Sequence, residues 1–308
     1  MGDTAFLFPG QGSQFVGMGV SFVQSSPSAK ARVEEACDAL GFDIWKLITE
    51  GPESELALTA NTQPAILLVS ALAYDALMSA KPVTPLAVAG HSLGEFSACW
   101  SAGVFSFGDA IRIVRKRGEL MQSAVPQGVG AMAAVIGLTP EVVAEACAEA
   151  GGCVAPANFN SPEQTVIAGV TADVEKAMEV LKSRGAKKIV KLQVSAPFHT
   201  NLMKPAQEGL AKFMEMVEFH DPEFPVIRNV DAGVSKTAAE VKDGLLQQVT
   251  GCVRWVDSMR LLPTMGVSRV VELGPGKVLA GLMKRIDKTV EAVSIGSVEE
   301  LLKSVETA

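Results

Sequence analysis

Leu86-Ala87-Val88-Ala89-Gly90-His91-Ser92-Leu93-Gly94-Glu95-Phe96 is the stretch that decides how this chain is read. Its first four residues are a short apolar run of the kind a buried strand shows. Gly90-His91-Ser92-Leu93-Gly94 then fits G-x-S-x-G, and a helical pattern follows. Strand, sharp turn and helix form the setting in which that pattern exposes a serine as a nucleophile. The glycines let the chain turn with little steric cost. Ser92 would stand at a helix N-terminus, where N–H groups and the helix dipole favour a developing negative charge. An ordinary Gly-Ser turn also fits the five letters. The flanking strand and helix favour the nucleophile.

The same alternation extends outward. Residues 5–8 form an apolar run stopped by Pro9-Gly10-Gln11-Gly12, a strand entering a tight loop. Helical patterns cover 30–40, 63–79 and 109–122, and strand-like runs at 225–230 and 269–273 each lead into helical sequence. Strands alternating with helices predict an α/β fold, a parallel sheet covered on both faces. The middle differs. Strand 130–136, helix 140–149, strands 153–158 and 165–170, helix 173–184 and strand 188–194 make the β-α-β-β-α-β order of a ferredoxin-like unit. A small α+β subdomain, 128–195, is therefore expected inside a larger α/β body formed by 1–127 and 196–308.

With 308 residues, 48% hydrophobic and 20% charged, the composition is that of a globular enzyme. A net charge of −7 argues against nucleic acid as the main partner. The five cysteines, Cys37, Cys99, Cys147, Cys153 and Cys252, show no CxxC spacing, which predicts reduced thiols and a cytoplasmic location. No basic-then-apolar leader is visible at the start. The longest apolar run, 65–77, carries Asp75 and is too short to span a bilayer, so a buried helix and no membrane association are expected.

A serine hydroxyl needs a base. Of the three histidines, His91 neighbours Ser92, and a sharp turn would point its ring away; His220 lies in a surface-like turn. His199, after Ser195-Ala196-Pro197-Phe198, falls where the small subdomain returns to the large one, a favourable place for a catalytic group. A loop histidine of structural role is the plain alternative. Asp231 follows His199 in the chain, so the Ser, Asp/Glu, His order of hydrolases is not met. Backbone N–H groups from Gly10-Gln11-Gly12-Ser13-Gln14 and from Leu93 are candidates for an oxyanion hole, with a flexible turn the equal reading of the first. Arg112, Arg115, Lys116 and Arg117 read as a solvated helix face, or as the source of one guanidinium for a substrate carboxylate; spacing does not choose among the arginines. Gly128-x-Gly130 precedes a strand and Gly274-Pro275-Gly276-Lys277 lacks the following Ser or Thr, so neither is a nucleotide motif. Three dispersed histidines assemble no metal site.

Phe8-Pro9-Gly10-Gln11-Gly12-Ser13-Gln14, Gly90-His91-Ser92-Leu93-Gly94-Glu95, Arg117-Gly118, Ala157-Asn158-Phe159-Asn160-Ser161-Pro162, Pro197-Phe198-His199 and Glu272-Leu273-Gly274-Pro275-Gly276-Lys277-Val278-Leu279 together resemble the malonyl-CoA:acyl carrier protein transacylases of type II fatty-acid synthesis. The resemblance implies an α/β-hydrolase-like body with an inserted ferredoxin-like subdomain. It implies Ser92 as the acyl-carrying serine and His199 as its base, with no triad carboxylate and the imidazole oriented by a backbone carbonyl near Gln248. Gln11 and Leu93 would supply the oxyanion N–H groups, and Arg117 would pair with the malonyl carboxylate. Met121, Phe198 and Asn160 would contact substrate, Phe198 favouring malonyl over methylmalonyl.

The implied reaction is ping-pong, from malonyl-CoA to Ser92 and then to the phosphopantetheine thiol of an acidic acyl carrier protein. No permanently bound cofactor and no metal are expected, and a monomer is. Lys187, Lys188 and Lys191, or Lys277, Lys284 and Arg285, are the candidate docking clusters for an acidic carrier. Three rivals remain at this point. They are an acyltransferase of polyketide or polyunsaturated-lipid assembly, a serine hydrolase, against which the missing carboxylate and Arg117 argue, and a catalytically silent binding module.

Overall fold

The structure, a computed structural model, describes residues 3–126, 128–194 and 196–306. The two ends of the expected subdomain boundary, Gln127 and Ser195, lie outside the described residues.

Among the described residues ten strands form two sheets: β1 (Thr4–Phe8), β2 (Ala87–Gly90), β3 (Gly130–Ile136), β4 (Val154–Ser161), β5 (Gln164–Val170), β6 (Lys188–Lys191), β7 (Val226–Ile227), β8 (Val234–Ser235), β9 (Arg269–Leu273) and β10 (Glu291–Ile295). The first sheet has the order β10-β9-β1-β2-β7-β8. It is parallel from β10 to β7, and only β8 runs antiparallel. Its centre explains the uninterrupted apolar runs. Phe6 and Phe8 of β1 enter one core layer while Ala5 and Leu7 enter another on the opposite face. A strand covered on both sides has no polar face to show.

The second sheet has the order β4-β5-β3-β6 and is antiparallel throughout. Helices Pro140–Ala150 and Thr171–Ser183 pack on one face through Val143, Ala146, Val174, Ala177 and Leu181. From the other face Met132, Val166 and Ala168 join the main core of the first body. The mixed α/β architecture with a parallel-rich sheet agrees with the sequence reading.

Two expected strands are shorter. The run 225–230 keeps only Val226–Ile227 in the ladder, because Arg228 N–H turns to the Gly233 carbonyl and the Asn229 side chain turns to the Ser92 turn. The run 188–194 ends its ladder at Lys191, and Leu192 and Val194 line a pocket instead. The helix expected over 63–79 starts earlier, at Thr59–Ala80, with Pro64 inside it. Proline has no N–H for the carbonyl four residues back. Here Ala60 O accepts from Arg115 Nη1 at 3.0 Å, so that carbonyl is not orphaned. This helix is long and apolar enough to cross a bilayer by length and composition, and its apolar window is 67% buried inside the protein.

Candidate active site

Adjacent parallel strands bring their C-terminal ends together, and that is where open α/β sheets bind ligands. Phe8 of β1 is in register with Gly90 of β2, and Ala89 with Ile227 of β7. The segments leaving these three strands carry Gln11, Ser92 and Asn229. The turn after β2 is tight. A Cβ on Gly90 would lie 1.9 Å from the Gly94 carbonyl carbon, and one on Gly94 would lie 2.0 Å from Phe8 O. Only glycine fits either position. Ser92 takes φ 52°, a region costly for a residue with a side chain, and helix Leu93–Ser101 starts after it. Asn229, 1% exposed, clamps this turn: its Oδ1 accepts Ser92 N–H at 2.7 Å and its Nδ2 donates to Gly90 O at 2.7 Å.

Ser92 Oγ lies 2.8 Å from His199 Nε2. His199 Nδ1 is 2.9 Å from the backbone oxygen of Gln248, which can only accept. Nδ1 therefore carries the ring proton, and Nε2 turns its lone pair to the serine hydroxyl. A carbonyl holds the imidazole where a triad would use a carboxylate. Asp231 instead pairs with Arg228 at 2.6 Å. Burial pushes the His199 imidazole down to about 3, and the nearby Arg117 charge adds to the effect. The ring is neutral, as a base must be.

The three arginines separate cleanly. Arg112 pairs with Asp109 at the surface, and Arg115 serves Ala60 O and Glu119. Arg117, 1% exposed, donates from Nη2 to Ser92 Oγ at 3.1 Å and to Gln248 Oε1 at 2.7 Å, and from Nη1 to Gln63 Oε1 at 2.9 Å. Its Nε finds no acceptor among the described residues. Burial draws the guanidinium down to about 10, so it remains charged near neutrality. A signal for this choice was present: Ile113, Arg117 and Met121 fall on one i, i+4 row of helix Phe107–Ser123, its buried stripe.

Residue-type reasoning passed over four further polar groups: Gln63, Asn158, Asn229 and Glu95. Glu95 is 1% exposed on the first turn of the helix after Ser92. Its Oε2 accepts from Gln248 Nε2 at 2.7 Å and from Asn229 N–H at 3.1 Å. Burial pushes its carboxyl up to about 7. The Gln248 side chain is thus a bridge in its own right, since it also donates to Ser92 O at 2.8 Å. The available hint was an acid inside an otherwise apolar run, Leu93 to Cys99.

A pocket of about 110 Å³ opens on Ser92, small beside the few hundred Å³ usual for larger ligands. Gln11, Leu93, Arg117, Met121, Phe198 and His199 all line it, joined by Gln63 and Asn158. From the second sheet come Met132 and the segment after β6, with Leu192 and Val194. The Leu93 and Gln11 N–H groups make no hydrogen bond among the described residues. Asn160 is not among the lining residues, but its Oδ1 lies 2.8 Å from Nε2 of His91, which lines the pocket, and the half-buried His91 ring packs edge-on to Trp255. His220 is exposed beside Glu218. Of the candidate docking lysines, Lys187, Lys191 and Lys277 are ion-paired with Glu163, Glu175 and Glu300. No cluster of three or more metal-ligating side chains occurs among the described residues.

The acyl transferase domain model matches residues 5–304. A malonyl CoA-acyl carrier protein transacylase of Escherichia coli K12 is 44% identical over 308 residues, covering 99% of this chain and 100% of that protein. The crystal structure of an acyl carrier protein S-malonyltransferase from Vibrio cholerae superposes with a TM-score of 0.96 at 45% identity, covering 98% of this chain and 99% of that one. A malonyl-transacylase solved in complex with its type II polyketide acyl carrier protein gives a TM-score of 0.96 at 44% identity, over 99% and 100% of the two chains. With a family model over nearly the whole chain and full-length relatives at this identity, the chain belongs to the acyl transferase family, among the malonyl CoA-acyl carrier protein transacylases.

Proposed function

We propose that this chain transfers malonyl from malonyl-CoA to the phosphopantetheine thiol of holo acyl carrier protein through a malonyl-Ser92 intermediate, supplying fatty-acid elongation. The observation that carries the reading is Arg117: a buried, charged guanidinium 3.1 Å from the serine oxygen. A hydrolase of neutral esters has no use for such a charge, whereas an acyl group ending in a carboxylate has. The relative solved with a polyketide carrier protein is as similar as the others, which favours supply of polyketide assembly as the second reading.

In this reading His199 takes the Ser92 proton as Oγ attacks the thioester carbonyl. The Leu93 and Gln11 N–H groups receive the oxyanion, and the proton passes to the departing CoA sulfur. The carrier thiol then reverses the sequence. The malonyl carboxylate engages Arg117 through Nε and Nη2, side-on. Acetyl would leave that buried guanidinium without a carboxylate partner. Phe198 and Met121 bound the acyl end, and the Gln248 carbonyl fixes the ring.

The six-stranded part, 1–127 and 196–308, is read as an α/β-hydrolase-like body and 128–195 as a ferredoxin-like insert. The order β4-β5-β3-β6, with its two helices on one face, supports the latter. A cytoplasmic location, a monomer and the absence of any permanently bound cofactor or metal complete the proposal.

Arg117→Ala tests it. Malonyl kcat/KM is expected to fall about 100-fold or more, since leaving a buried partner unpaired costs about 2–5 kcal/mol, while acetyl transfer holds or rises. Equal loss on both substrates would remove Arg117 from acyl selection.

A further inference from the structure

Two opposite charges are buried together beneath Ser92, and a single amide joins them. Gln248 accepts from Arg117 through Oε1 at 2.7 Å and donates to Glu95 through Nε2 at 2.7 Å. Both charged residues are 1% exposed. In the empty site, above the Glu95 midpoint, the cluster holds one carboxylate and one guanidinium. Malonyl brings a second carboxylate into the same dry volume, and two anions then share Arg117, since the nearby Arg228 is already paired with Asp231. Like charges in a low-dielectric site cannot all persist, and the group able to take a proton does so.

We infer that Glu95 is the resident counter-charge of Arg117, and that it takes up a proton from solvent when the malonyl carboxylate occupies Arg117. This rests on the malonyl reading above. Glu95 touches no substrate. It is a positioning residue that acts through Gln248 and Arg117.

The acyl step itself is proton-neutral. Ser92 loses its proton to His199, the Oγ–carbonyl bond forms, the carbon–sulfur bond breaks, and the CoA sulfur leaves with that same proton. Any net uptake belongs to the charge balance around Arg117. Few other groups are placed to provide it. Arg117 faces Glu95 from helix Phe107–Ser123, and Arg228 from the segment after β7; both stay protonated near neutrality. Helix Ala238–Thr250 offers the neutral Gln248, and helix Thr59–Ala80 offers the neutral Gln63. Cys99, on the same helix as Glu95, is held protonated by burial. Desolvation pushes the imidazoles of both His91 and His199 down, the latter to about 3. That Glu95 titrates near neutrality while empty makes the uptake visible at working pH.

The sign follows. Below the Glu95 midpoint the carboxyl is already protonated and malonylation takes up nothing. Above it, each adduct requires one proton, and the malonylation equilibrium weakens about tenfold per pH unit. The experiment mixes malonyl-CoA with the full-length protein in weak buffer containing a pH indicator, corrects for the titration of free CoA, and counts adducts by intact mass in parallel.

The expected result is about one proton per adduct at about pH 8, almost none at about pH 6, and none at either pH for Glu95→Gln. Adducts without proton uptake near pH 8, or the same uptake in Glu95→Gln, would overturn the assignment while leaving malonyl transfer intact. Failure of the wild-type protein to form an adduct would instead remove the malonyl reading and this inference with it. If Glu95→Gln does not fold, the wild-type series decides alone: uptake that does not change between about pH 6 and about pH 8 contradicts the assignment.

Discussion

The two sheets divide the work unequally. The six-stranded, mostly parallel sheet delivers reacting groups, because the C-terminal ends of β1, β2 and β7 lie side by side and release Gln11, Ser92 and Asn229 together. The four-stranded antiparallel sheet delivers a wall. Met132, Leu192, Val194 and Asn158 line the pocket, yet none of them reaches Ser92 Oγ, whose partners are His199 and Arg117. In the proposed reading the strand ends supply the chemistry, and the second sheet closes the pocket that Arg117, Met121 and Phe198 also line. Substitutions in the two regions should therefore fail in different ways.

The largest of the effects that separate them is expected at Asn229. Asn229→Ala removes the acceptor of Ser92 N–H and the donor to Gly90 O, in a turn already held at positive φ. With the orienting partner of the nucleophile lost, kcat should drop about 10- to 100-fold with little change in KM. A steady-state kcat within twofold of wild type would mean the turn holds itself. Met132→Ala, on the wall, is expected to change kcat for malonyl by less than about tenfold while admitting bulkier acyl groups, as one or two methylenes of pocket discriminate only weakly. An unchanged ranking of malonyl, methylmalonyl and acetyl transfer would show that the second sheet takes no part in acyl choice.

Least of all should happen on acidification. His199 loses its neutral form only far below the usual imidazole range. Activity that depends on neutral His199 persists until pH falls toward its folded value, whereas stability declines progressively from the ordinary imidazole value of 6.5 downward, where the unfolded chain takes up a proton that the folded chain does not. From about pH 7 to about pH 5, kcat/KM for malonyl-CoA should therefore show no acid limb near 6.5. A break there in a pH–rate profile would mean that the imidazole is solvated and unlike the buried ring described.

Legibility in the sequence followed contact range. The Ser92 turn was readable because strand, glycines and helix are consecutive, and the second sheet because its β-α-β-β-α-β order lies in one continuous segment. His199 was suggested by its place at the return to the large body, and the resemblance through Pro197-Phe198-His199 chose it over a structural loop histidine. Asn229 did not announce itself: its bonds to Ser92 and Gly90 span more than a hundred residues, and the run around it looked like more strand. Spacing did not choose Arg117 over Arg112 and Arg115; the resemblance named it and burial sets it apart, although its row with Ile113 and Met121 carried a trace of it. Glu95 was hidden for a different reason. A lone acid in an apolar helix has no meaning until Gln248, 153 residues away, is seen to join it to a guanidinium.

The measurement that bears most directly on the account is intact mass after brief mixing with malonyl-CoA, with peptide mapping and Ser92→Ala as control. One malonyl adduct on Ser92, absent in the variant and discharged faster by phosphopantetheinylated carrier protein than by water, is the predicted result. An adduct on another residue, no adduct at all, or discharge by water as fast as by the carrier would contradict it.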